Sequence, residues 1–253
     1  MDNYITQIQD AGRSLISILN LNTSPVGVCF AFKNSPPKNT VTPLKQHRYC
    51  QALMKARHGQ SVSLDAQGIA CPAAAAAFGF RPLPAGLKSG QGLVGYGIVS
   101  EPKVGARMFT DMPVLKPGNL DHLELFPLEK AEKKPDIIVI EDEVEKLMWV
   151  NLAYLHVTGG NRLQGSTAIL QATCVDSTII PYLENRLNFG FGCYGCREAT
   201  DIGPQETVVG FPFDDLYAIV EHIAFLGEKA IPNSRSKKVF ASLVTQTNLV
   251  DSN

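Results

Sequence analysis

The run PDIIVIED, residues 135–142, constrains this chain more than any other feature: four β-branched apolar residues in a row stand between a proline–aspartate pair and two acids. A strand covered on one face alternates apolar with polar, whereas one covered on both reads as a continuous apolar run. The run therefore calls for a sheet with helices on both faces, and the neighbouring segments supply them. MDNYITQIQDAGRSLISILNL places Ile5, Ile8, Leu15, Ile16 and Leu19 at helical spacing. SPVGVCFAF (24–32) is a strand, KNSPPKNTVTP (33–43) a proline-punctuated loop, and RYCQALMKARHG (48–59) a helix stopped by Gly59. QSVSLDAQGI reads as a strand and CPAAAAAFGF (71–80) as a helix, with Cys71 at its start and Pro72 in the favoured first helical position. Beyond them EPKVGARMFTDMP is a helix, DHLELFPLEK a strand, EVEKLMWVNLAYLHVTGG a helix, LQGSTAIL a strand, TCVDSTIIPYL a helix, ETVVGFP a strand and FDDLYAIVEHIAFLG a closing helix.

The fold class implied is α/β, in a single compact domain over 1–253 with a tail that frays from 240 to 253. The two parts of the chain run alike. Helix, glycine stop, strand, cysteine and helix follow one another from Tyr49 to Phe80 and again from Trp149 to Leu183, with twelve positions from Gly59 to Cys71 and fourteen from Gly160 to Cys174. This repetition points to two similar halves, about 1–115 and 116–230, related by a pseudo-twofold axis, and makes Cys71 and Cys174 equivalent.

Lysine and arginine number 23 against 24 acids, so no field of either sign marks a nucleic-acid, lipid or polyanion partner. No run of eighteen apolar residues suggests a membrane span, and the acidic, polar start lacks the basic and apolar regions of a secretory signal. The expected location is cytoplasmic. Six cysteines in that compartment are kept reduced, which leaves metal ligation, redox chemistry or core packing as their uses.

FGFGCYGCREATD (189–201) sets Cys193 and Cys196 with two residues between them, and Gly190, Gly192 and Gly195 give the positive φ angles and close approach of a cluster-binding loop. That spacing serves dithiol redox motifs, zinc sites and iron–sulfur sites alike. Cys71 and Cys174, both expected at helix N-termini, gain from the dipole there, which favours the thiolate a metal needs. Cys50, Cys71 and Cys174 lie far apart in the chain, so a site that includes them is assembled by the fold. Four such thiolates suit a [4Fe–4S] cluster or a structural zinc. Cys29, within the apolar VGVCFAF, and Cys50, on a helix face, also suit plain burial.

RYCQALMKARHG, ACPAAAAAFGF, TCVDSTIIPYL and GCYGCRE…ETVVGFP, in this order and spacing, resemble the signature blocks of domain-of-unknown-function family 169, found in archaea and in anaerobic or facultative bacteria. The likeness runs from about residue 10 to about 225. It implies an α/β protein with one cysteine per block, here Cys50, Cys71, Cys174 and Cys193. The position of Cys196 is usually a small residue in the family, which leaves Cys196 as a fifth ligand, a resolving thiol or a bystander.

Other groups carry less. Arg197 is an anion contact or one arm of a loop salt bridge with Glu206 nearby. His47, Arg48 and Lys55 add positive charge round Cys50, and a nucleophilic dyad of Cys50 or Cys71 with His47 or His156 lacks an orienting third residue. His58, His122 and His222 read as surface or cap residues, and EDEVEK as a solvated helix start. VTGGNRLQGSTA is a turn that can also cradle a phosphate. No dinucleotide fingerprint or Walker loop occurs. The sequence thus points to a [4Fe–4S] protein in electron transfer or redox chemistry on a small molecule, with a redox partner protein or that substrate as its partner. The alternatives are a metal-free thiol-redox or binding protein using Cys193 and Cys196, and a zinc-stabilised structural protein.

Overall fold

A computed structural model describes residues 2–32 and 41–250, so most of the loop expected at 33–43 lies outside the described residues. The chain runs α1 (Asp2–Leu19), β1 (Val26–Phe32), β2 (Thr42–Pro43), α2 (Tyr49–Arg57), β3 (Val62–Asp65) and α3 (Pro72–Ala77). Three helices follow, α4 (Ala85–Lys88), α5 (Gln91–Gly95) and α6 (Pro102–Thr110), then β4 (Leu120–Pro127), β5 (Ile137–Glu143) and α7 (Val144–Val157). A π-helix (Ala172–Ile179) continues into α8 (Ile180–Glu184), followed by β6 (Asn188–Gly190), α9 (Tyr194–Ala199), β7 (Glu206–Pro212) and α10 (Leu216–Glu228). α11 (Ala230–Ser236) and α12 (Lys238–Val250) carry the chain through the stretch expected to fray from 240.

The mixed α/β class holds, built round one seven-stranded sheet of order β2-β3-β4-β1-β5-β7-β6. Every pairing is antiparallel except the short β2–β3 contact. The sheet is covered on both faces, as the PDIIVIED run requires. Ile137 and Val139 of β5 join Val26, Val28 and Phe30 of β1 under α2, α3 and the π-helix. Ile138 and Ile140 point the other way, with Cys29, into a layer of α1, α7 and α10. Ile8, Leu15 and Leu19 of α1 are fully buried there, each worth about 2 kcal/mol of apolar transfer.

Beyond β2 the sheet order falls into two triplets, β3-β4-β1 and β6-β7-β5. In each, the first strand in the chain is innermost, the second outermost and the third between them; β4, past residue 115, sits with the first triplet. Cys50 and Cys174 lie on helices between a first and a second strand, while Cys71 and Cys193 follow a second strand and precede a short helix. By place in the strand order Cys50 falls with Cys174 and Cys71 with Cys193, whereas spacing along the chain sets Cys71 against Cys174. The two differ because α7, in the outer layer, stands between β5 and the π-helix and has no counterpart in the first triplet.

LQGSTAIL, expected as a strand, has no regular structure. Its backbone is held by the side chain of Asn188 and not by a ladder: Ser166 N–H donates to Asn188 Oδ1 at 2.8 Å, and Asn188 Nδ2 donates to Ser166 O at 2.8 Å. The segment after it is a π-helix because of three features, two of them contacts with residues later in the chain. Ser177 and Thr178 hydroxyls donate to the carbonyls five residues back, at 2.7 and 2.8 Å. Pro181 lacks an N–H for the carbonyl of Asp176, and Asn188 Nδ2 takes its place at 2.7 Å. Gly210 of β7 lets the backbone of Ser177 press directly on the sheet.

Candidate functional site: a buried cysteine cluster

Cys50 sits in the first turn of α2, whose entry is set by Arg48 N–H donating to Gln51 Oε1 at 2.9 Å. Cys71 is the extended residue before α3, with Pro72 in the first turn, as expected. Cys174 belongs to the π-helix, and Cys193 caps α9, with its sulfur accepting the N–H of Cys196 at 3.3 Å. Cys50, Cys174, Cys193 and Cys196 are buried in the inner core, and Cys71 packs against it half-buried. Cys29 is on the opposite face of the sheet, where its thiol donates to Lys134 O at 3.3 Å and burial pushes its pKa up to about 12. The fold thus brings together five of the six cysteines from four separated segments.

Within the cluster Cys193 Sγ and Cys196 Sγ are 3.1 Å apart, and Cys196 Sγ lies 3.0 Å from Thr173 Oγ1. Cys196 also meets Cys50, while Cys174 is within electrostatic range of Cys71, Cys193 and Cys196. Cys174 donates to Gln171 O at 3.6 Å. Burial drives its pKa well above the ordinary thiol value, with the neighbouring cysteines adding to the effect. Cys174 does stand in the first turn of the π-helix, as expected, but the thiolate is not favoured there, because desolvation outweighs the dipole. Cys193 is raised by its hydrogen bond with Cys196 and then by burial. For Cys196 the hydrogen bond from Cys193 pulls down, but the bond with Cys50 and burial together push it up to about 12.

α2 and α9, which carry three of these thiols, are tied along their lengths. Arg48 Nη1 donates to Gly195 O at 3.0 Å and Glu198 Oε2 at 2.7 Å, and Gln51 Nε2 to Ala199 O at 3.2 Å. At the far end Arg57 Nη2 pairs with Asp201, as does His58 Nε2 at 2.6 Å. Arg48 is also the cation within range of Cys50 and Cys71. Arg197 donates to the backbone oxygens of Gly203, Phe191 and Glu206, so it pins the loop around α9. Of the glycines at 190, 192 and 195, only Gly192 has a positive φ, +75°.

Neither proposed dyad histidine meets a thiol. His47 Nδ1 is 2.7 Å from Lys45 O, and His156 stacks on His222 at 4.1 Å in the outer layer. His122, expected at the surface, is buried between Asp121 and Glu124. The EDEVEK segment is also not simply solvated. Asp142 is fully buried, accepting from Asn22 N–H at 2.6 Å and Lys146 Nζ at 2.9 Å, and Glu141 lies against Arg57 at 3.1 Å. Sequence offers one signal for these acids: they extend the doubly covered β5 beyond its apolar run.

The donor set suits a thiophilic metal centre, being four or five sulfurs in an apolar setting. Among the described residues, however, no group of three or more His, Cys, Asp or Glu side chains is already placed to hold a metal ion. Tetrahedral zinc with bonds of about 2.3 Å spaces its sulfurs about 3.8 Å apart. At 3.1 Å Cys193 and Cys196 turn toward each other, and ligation requires their side chains to rotate apart. No described helix is long and apolar enough to cross a membrane.

Asn188 holds the wall of this site. Fully buried, it serves Asp176 O and both backbone groups of Ser166. Asn188→Ala is expected to strand these groups and lower stability by about 3 kcal/mol in urea denaturation.

The chain that brings these cysteines together belongs to family DUF169, described as "Uncharacterised ArCR", whose model matches residues 14–222. The chain is similar to uncharacterized protein MJ0308 of Methanocaldococcus jannaschii, 27% identical over 222 residues, covering 87% of this chain and 94% of that protein. No solved structure matches.

Proposed function

We propose that this protein carries a [4Fe–4S] cluster on Cys50, Cys71, Cys174 and Cys193 and serves electron transfer or redox chemistry on a small molecule in the cytoplasm. The observation that carries the reading is the convergence of five cysteines from four segments on one face of the sheet, while Cys29 lies on the other. When bound, such a cluster supplies one-electron redox chemistry tuned by burial and nearby charge. The residues' part is to bind it through sulfur, exclude water with the inner core, and set a guanidinium, Arg48, nearby. The same reading takes the two strand triplets as related halves, with Cys50 and Cys71 corresponding to Cys174 and Cys193.

A second reading, reversible disulfide formation, is favoured by the 3.1 Å approach of Cys193 and Cys196 at the start of α9. Against it, the bond with Cys50 and burial hold the Cys196 thiol above the ordinary thiol range, and the protonated thiol is a poor nucleophile. A metal ion displaces such protons directly.

Anaerobic purification with iron and sulfide analysis and an absorption spectrum tests the proposal. The expected protein is brown, with about four irons per chain and a shoulder at about 400 nm that dithionite bleaches. Cys50→Ser, Cys71→Ser, Cys174→Ser and Cys193→Ser each lose most of that iron, while Cys29→Ser retains it. Stoichiometric zinc would make the site structural, and metal-free anaerobic protein would leave thiol redox chemistry.

A further inference from the structure

A cavity of about 490 Å³ lies beside the cysteine cluster, between α6, the irregular segment 166–168 and the π-helix. Its volume falls within the range of small-molecule sites. The π-helix separates it from the thiols: Gln171, Val175 and Asp176 line the cavity, while Cys174 of the same turn joins the cluster.

The wall is held in a costly conformation. Ile169 and Gln171 both have φ of +58°, in the left-handed region where a β-branched isoleucine is rare. Residues kept in such regions by their surroundings gather at binding and catalytic sites. The surroundings here are explicit. Asn188 clamps Ser166, Thr167 Oγ1 donates to Asp176, and Ile169 N–H donates to Thr167 Oγ1 at 3.1 Å. The π-helical turn itself belongs to a class found frequently at functional sites.

The lining has a direction. Lys103 and Arg107, one turn apart on α6, stand at the mouth, with side chains 82% and 75% exposed. Their present partners, Glu101 and Asp111, are also surface groups, and exposed pairs of this kind exchange at little cost. Met108, Met112, Val175 and Ile180 give the interior apolar walls, and the two methionines adapt to irregular shapes. Of the two acids in the lining, Asp176 on the π-helix wall accepts from Thr167 and Asp111 pairs with Arg107 at the surface, so Lys103 and Arg107 are the lining's cations for an anionic head.

We infer that this cavity binds a small amphipathic anion, a carboxylate or sulfonate with an apolar or aromatic body, its charged end between Lys103 and Arg107 and its body against the methionines. The inference stands whether or not the cysteines hold a cluster.

The test is a fluorescence titration of the full chain with 8-anilinonaphthalene-1-sulfonate, competed by benzoate, on protein of measured iron content. The expected result is one saturable site from which benzoate displaces the probe. Lys103→Glu with Arg107→Glu weakens it about tenfold. The matched control, Lys229→Glu with Lys238→Glu, leaves it unchanged. Val104→Trp and Ala168→Phe fill the space from opposite walls and abolish binding, with circular dichroism and melting showing that the variants fold. Equal binding in all variants, or no saturable binding up to about 1 mM probe, would overturn the inference. Because iron content is measured separately, failure here leaves the cluster proposal intact, and a metal-free protein that still binds the probe separates the two in the other direction.

Discussion

Gly210→Ala is expected to lower stability by about 3 kcal/mol or more in urea denaturation and to expose Cys174 to thiol reagents in the remaining folded protein. A Cβ at this position of β7 would sit 2.9 Å from Ser177 Cα and closer still to the Ser177 carbonyl group. Both sides of that contact are backbone, so no rotamer relieves it. Either the π-helix is lifted, taking Cys174 and the wall of the cavity with it, or β7 leaves its register with Val139 and Asn188. Gly195→Ala provides the contrast. Its Cβ would lie 3.5 Å from Arg48 Nη1, an ordinary contact, and its backbone has no positive φ. This substitution, between the two closely spaced cysteines, is expected to change stability by less than about 0.5 kcal/mol. The glycine between the two cysteines is dispensable, while Gly210, in the middle of β7, is not.

That contrast also explains which parts of the molecule were legible in the sequence. β1, β4, β5 and β7, and helices α1, α2, α6, α7 and α10, follow from hydrophobic period, length and stop residues, all local properties. The cysteine blocks were legible for the same reason, each being a short local pattern. β6 has three residues, too few for a period of two to register. The π-helix depends on Gly210 and Asn188, which follow it in the chain, and its own residues pattern like an α-helix. The burial of Glu141 depends on Arg57, 84 positions earlier, so the local sequence shows only an acid beside a helix start. The pairing of Cys71 with Cys174 by spacing differs from the strand order for a similar reason: distance along the chain counts α7, and the sheet does not.

Arg57→Ala is expected to cost about 3–5 kcal/mol, with the loss greatest at alkaline pH. Arg57 is 4% exposed and is the cation facing Glu141 at 3.1 Å, with Asp201 paired to it and Glu206 at 3.9 Å. Burial raises the pKa of Glu141 to about 7, Arg57 opposes that shift, and Glu206 and Asp201 reinforce it. In the native protein this raised pKa gives a contribution to stability that is full below about 4.5, the unfolded value, and is lost as pH climbs through about 7. Removing the guanidinium takes away the opposing charge, so the folded pKa of Glu141 rises further and the loss extends to higher pH. The variant can protonate Glu141 in acid and so hide part of the damage there, but at pH 8 it must either bury an uncompensated carboxylate or bind a proton against the solution. Adding Glu141→Gln to Arg57→Ala removes the titrating group and is expected to flatten the pH dependence, measured as urea midpoints from pH 5 to 9. A single Arg57→Ala variant with the same loss at pH 5 and pH 8 would show that Glu141 is not the partner that makes Arg57 necessary. The consequence reaches the cysteines, because Arg57 ends the helix whose first turn holds Cys50, and Asp201 follows the helix that carries Cys196. Loss of this tie is therefore expected to raise the reactivity of Cys50 and Cys196 toward thiol reagents before global unfolding, in step with the pH dependence of stability.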